Sequence, residues 1–120
     1  MISFDTCGSI LDDIADSLPL DLYRELNGGI LLREERKIHP LAKNNDLFIL
    51  GEYVRDNLGK SIKIYYGSLM VVFYNKTEEE MKEELRKVLL HELRHHNEYL
   101  AGMDDLIYYD NERINEYLNR

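Results

Sequence analysis

The segment from Thr77 to His96 constrains this chain most, because its pattern suits one long amphipathic helix and little else. Thr77-Glu78-Glu79-Glu80 is a capping box. The threonine hydroxyl and the third glutamate satisfy orphan backbone donors, and the acidic side chains meet the positive end of the helix dipole. Met81, Leu85, Val88 and Leu89 then recur at helical spacing as a stripe for burial. Gly102 is a natural stop. Any fold must cover that stripe, and only shorter elements are on offer to do it.

Residues 3–17 read as a first helix, capped by Ser3 or Asp5, with Cys7, Ile10, Leu11, Ile14 and Leu18 at helical spacing. Pro19 ends it, and 20–26 can form a second short helix. Asn27-Gly28-Gly29 breaks the chain before a strand at 30–32. Residues 33–46, charged and holding Pro40, read as a loop. A strand is expected over 47–54 and turn chemistry over 56–60. Residues 61–66 alternate most clearly, with Ile62, Ile64 and Tyr66 on one face and Lys63 and Tyr65 on the other. Gly67-Ser68 interrupts the pattern. The apolar run 69–74 suits a further strand or a packed connection. Leu106, Tyr109 or Ile114, Tyr117 and Leu118 suggest a last helix. The order of helix, strands and two helices predicts an α+β domain.

The chain has 120 residues, enough for one domain with one core. Its net charge of -8 argues against a nucleic-acid partner and is compatible with a basic peptide. Cys7 is the only cysteine, so no internal disulfide forms and a reducing, cytoplasmic setting fits. No motif surrounds Cys7, which reads as an apolar filler. The opening residues do not resemble a signal peptide, and no run approaches the ~20 apolar residues of a membrane span, so no membrane partner is expected.

The chemistry sits in His91-Glu92-Leu93-Arg94-His95. Histidines at i and i+4 share one helical face about 6 Å apart along the axis, close enough to converge on one Zn²⁺. Glu92 lies beside the first histidine, where it can take a proton from a metal-activated water and return it to a leaving amine. A third ligand is needed. On an unbroken helix Glu98 lies ~10 Å along the axis from His91, which favours a surface role for it. Asp105 is favoured, with Asp104 and Glu98 behind it: it can reach back if the chain reverses sharply at Gly102, and reaches easily if the helix loosens near Asn97. His96 points ~100° away from His95 and reads as a packing or hydrogen-bonding residue. His39 reads as a surface histidine. Tyr65, Tyr66 and Tyr99 are open candidates for stabilising an oxyanion.

These residues resemble the small bacterial zincin-like metallopeptidases with a minimal metzincin-type domain. The likeness runs through Ile2-Ser3-Phe4-Asp5, Asp16-Ser17-Leu18-Pro19, Leu50-Gly51-Glu52-Tyr53, Ile62-Lys63-Ile64-Tyr65 and Val88 to His96. It implies a small α+β zincin fold, with His91 and His95 as metal ligands and Glu92 as base. The family signature, HExxHxxGxxD, places glycine and acid where this chain has Glu98 and Ala101. Gly102-Met103-Asp104-Asp105 supplies the same pair four residues late, so the resemblance supports Asp105 only with an extra helical turn.

The expected function is zinc-dependent peptide hydrolysis. His91, His95 and Asp105 would hold Zn²⁺, Glu92 would activate water, and a peptide or protein substrate would lie along the strand edge at 47–54 or 61–66. The alternatives are a non-catalytic zinc-binding domain, structural or for interaction, and a metal-free interaction module.

Overall fold

The computed structural model describes residues 1–102, so the proposed last helix, Asp104 and Asp105 lie outside the described residues. Helix α1 (Phe4–Ser17) starts at Ser3, whose hydroxyl accepts from the Thr6 amide at 3.1 Å. Its Cys7, Leu11 and Ile14 recur at helical spacing and are buried. A 3₁₀ turn at Leu20–Tyr23 replaces the expected short helix over 20–26. Strands β1 (Gly29–Arg33), β4 (Gly51–Asp56) and β5 (Gly59–Tyr65) form a sheet in the order β1-β5-β4. The β1–β5 pair is parallel and β4–β5 is antiparallel, so β5 is central and β4 is an edge strand.

The strand expected over 47–54 is divided in two. Phe48–Ile49 (β3) pairs antiparallel with Lys37–Ile38 (β2), and β4 pairs with β5. The break falls at Leu50, whose carbonyl accepts from the Tyr65 amide. Residues 33–46, expected as loop only, therefore contribute one short strand. The Lys37 amide donates to the Ser68 hydroxyl at 2.9 Å, which fixes that strand to the next helix.

The run after Tyr65 is a helix, α2 (Tyr66–Val72), and not a further strand. Tyr65 is the last residue of the ladder to β1. Ser68, Leu69 and Met70 are all buried, and Phe73 packs on the same core. Three successive buried residues suit a helix end wedged into a core and not an alternating strand. Tyr66 therefore leaves the face of Ile62 and Ile64, and its hydroxyl donates to the Ile2 carbonyl at 2.6 Å.

Helix α3 (Glu78–Leu100) begins with the full capping box and carries Met81, Leu85, Leu89 and Leu93 into the core. Ile62 and Ile64 of β5 complete that core, and both are fully buried. Helices α1 and α3 pack on each other, and α3 also lies on β4 and β5. A two-layer arrangement results, with the sheet against the motif-bearing helix. Cys7 is part of this core, and burial pushes its thiol up to about 11, which makes it a poor nucleophile.

Two described residues other than glycine, Glu25 and Asn45, have positive φ, and asparagine tolerates it better than glutamate. The Leu26 amide donates to the Tyr23 carbonyl at 3.0 Å, and Glu25 has φ 58. With Arg24 at φ -55 and ψ 135, this is a type II turn that normally favours glycine at the Glu25 position. Glu25→Gly is expected to keep or raise stability in urea unfolding. Glu25→Val, β-branched in a left-handed conformation, is expected to lose about 1–2 kcal/mol.

Candidate active site

The motif occupies the fourth and fifth turns of α3. Leu89 and Leu93 are buried, which sets the side of the helix that faces the core. The ring centroids of His91 and His95 are 4.8 Å apart and nearly perpendicular, at 86°. Two imidazoles bound to one tetrahedral zinc at ~2.0–2.1 Å bonds have centroids roughly 5 Å apart, so this pair fits such an ion. Both residues are half-buried, and Glu92, next to His91 in sequence, is 7% exposed.

The edge strand approaches Glu92 closely through Gly51. A Cβ at that position would lie 2.8 Å from Val88 Cγ1, 3.2 Å from Ile64 Cδ1 and 3.4 Å from Glu92 Cγ. The missing side chain is thus what lets β4 lie directly on the motif helix. Further contacts follow the same line. The Tyr53 hydroxyl is 2.6 Å from His96 Nδ1, and the Arg55 guanidinium stacks 3.8 Å from the Tyr99 ring centroid. Alternate residues of β4 (51, 53, 55) thus meet successive turns of α3 (92, 96, 99). The strand advances ~13 Å over that stretch and the helix ~10.5 Å, so the two run in the same direction nearly in step.

His96 is fully buried, as its direction on the helix suggests, and is not on the face of His91 and His95. Its Nε2 is 2.7 Å from the Arg24 carbonyl. That oxygen can only accept, so Nε2 carries a proton, and in that tautomer Nδ1 accepts from the Tyr53 hydroxyl. Burial raises the Tyr53 pKa, with Arg55 opposing and Tyr99 adding to the effect, which keeps the hydroxyl protonated as a donor.

The helix stays unbroken to Leu100, and Asn97 reinforces it. Its side-chain amide donates to the Leu93 carbonyl at 2.9 Å and to the Leu22 carbonyl at 3.0 Å. The route to Asp105 through a helix loosened near Asn97 is therefore closed. Gly102 has φ 76 and its amide donates to the Tyr99 carbonyl, which ends the helix as expected. Glu98 accepts from Arg94 Nε at 2.9 Å. Among the described residues, no three His, Cys, Asp or Glu side chains form a group able to hold a metal ion.

The tyrosines considered for an oxyanion have other tasks. Tyr65 donates to Glu52 at 2.7 Å, Tyr66 to Ile2, and Tyr99 carries Arg55. The Tyr65 contact belongs to a cluster not anticipated from the sequence. Lys37 Nζ donates to both Glu52 oxygens at 2.8 and 3.1 Å, tying the β2 segment to β4. The hydrogen bond to Glu52 raises the Lys37 pKa. Partial burial pushes Glu52 up, but hydrogen bonds from Lys37 and Tyr65 outweigh it and leave the carboxyl lowered. Glu52 and Tyr65 alternate with Gly51 and Ile64, so the cluster lies on the sheet face away from Glu92. His39 is half-buried, and its Nδ1 accepts from the Leu41 amide at 3.0 Å.

A family model described as zincin-like metallopeptidase matches residues 46–115. A solved structure of a conserved hypothetical protein from Thermo thermophilus superposes with a TM-score of 0.74 at 29% identity. That match covers 83% of this chain and 98% of the other. No curated protein matches the sequence. No helix among the described residues is long and apolar enough to cross a membrane.

Proposed function

Since the chain belongs to the zincin-like metallopeptidase family, whose model spans more than half of it, we propose that it is a zinc-dependent peptidase working through Glu92. The observation that carries this reading is a buried Glu92 on the same helix as two imidazoles whose ring centroids are 4.8 Å apart, with the edge strand packed on that helix at Gly51. His91 and His95 would hold the ion, and Asp105 is the proposed third ligand. When bound, zinc supplies a Lewis acid that polarises the scissile carbonyl and makes water acidic enough to attack at neutral pH.

Glu92 takes the proton released as water attacks, and delivers it to the departing amine. Its position in the helix, one residue from the first ligand, keeps it beside the reacting atoms without occupying a ligand position. The substrate lies along the outer edge of β4, adding a strand by main-chain hydrogen bonds. Of the two edges expected from the sequence, β5 is paired on both sides, which leaves β4. The acidic surface favours peptides with basic residues.

Protein isolated without chelators should contain about one zinc per chain and cleave a library of fluorogenic peptides. Chelation should abolish cleavage and added Zn²⁺ restore it. Cleavage untouched by chelation would contradict the reading.

A further inference from the structure

We propose that His96 and Tyr53 are positioning residues that set the rotation and register of the motif helix against the edge strand. The inference rests on the zinc-site reading above and deepens it. A helix packed by leucines alone can rotate by tens of degrees while still burying apolar surface, because such contacts have little direction. Hydrogen bonds have direction. His96 makes two, at 2.6 Å to Tyr53 on β4 and 2.7 Å to the Arg24 carbonyl, from a side chain with no exposed surface.

These two contacts hold α3 from two sides. Tyr53 lies on β4 two residues beyond Gly51, on the same face, and the Tyr53 and His96 rings meet edge-on at 5.2 Å. Arg24 belongs to the type II turn, whose flipped central peptide aims its carbonyl at Nε2. His96 is one residue from His95 and one turn from Glu92. A rotation about the helix axis would therefore move the second histidine relative to its partners and carry Glu92 away from Gly51. The side chains at 91, 92 and 95 need a fixed direction to converge, and the two hydrogen bonds of His96 supply it.

The test uses Tyr53→Phe, which keeps the ring and removes only the hydroxyl, alongside His96→Phe. Zinc affinity is measured by competition with a chromophoric chelator. The visible spectrum of the cobalt-substituted protein and the thermal midpoint of the metal-free chain are recorded in parallel. Tyr53→Phe is expected to fold, to bind zinc about tenfold more weakly and to shift the cobalt bands. A folded Tyr53→Phe with unchanged affinity and spectrum would overturn the proposal, whatever His96→Phe does to folding. A native chain that takes up neither metal would instead overturn the zinc-site reading, and this proposal with it.

Discussion

Glu92→Gln is expected to keep its zinc and lose roughly 10²–10⁴-fold in peptide hydrolysis. Glutamine has nearly the shape of glutamate, so packing against the Gly51 backbone is preserved, but its amide cannot take a proton from water at neutral pH. Glu92 is not a proposed ligand, so metal content should stay at the native level. His95→Ala should differ by losing the metal itself. Measuring kcat/KM and zinc content on the same preparations separates the two effects. Hydrolysis by Glu92→Gln at the native rate would remove Glu92 from the mechanism.

Gly51→Ala should be costly for a single added methyl group, about 1–3 kcal/mol in urea unfolding. The added carbon would sit 2.8 Å from Val88 Cγ1, too close without movement of strand or helix. The substitution should also lower kcat/KM, because the strand it displaces is the proposed substrate edge beside Glu92. Backbone conformation is not the cause, since Gly51 is not among the residues at positive φ. Gly8→Ala is the control: its Cβ would meet Leu32 Cδ2 at 3.7 Å, an ordinary contact. Equal stability of the two variants would contradict the proposed close approach.

The helices that shape the site were legible because their signals are local. The capping box at Thr77, the apolar stripe from Met81 to Leu89 and the stop at Gly102 all act within a few residues. The relation between His91 and His95 followed from helix geometry alone. The division of the strand at Leu50 was not legible, because it depends on which strands accept β3 and β4 as partners. The run after Tyr65 misled for a related reason. Its β-branched and aromatic residues suit a strand, but Ser68, Leu69 and Met70 are buried in succession, and the Ser68 hydroxyl holds the turn to Lys37. Gly51 did leave a signal, an isolated glycine in a strand pattern, which often marks a close backbone approach. The Lys37–Glu52–Tyr65 cluster left none, since its members come from three strands distant in sequence.

The most direct measurement is an anomalous difference map at the zinc absorption edge from crystals of the full chain. The proposed mechanism predicts one peak bound by His91 and His95 at ~2.0–2.1 Å, with Asp105 as third protein ligand and one position left for water. A map with no peak at the histidine pair, or a zinc closed off by four protein ligands, would contradict it.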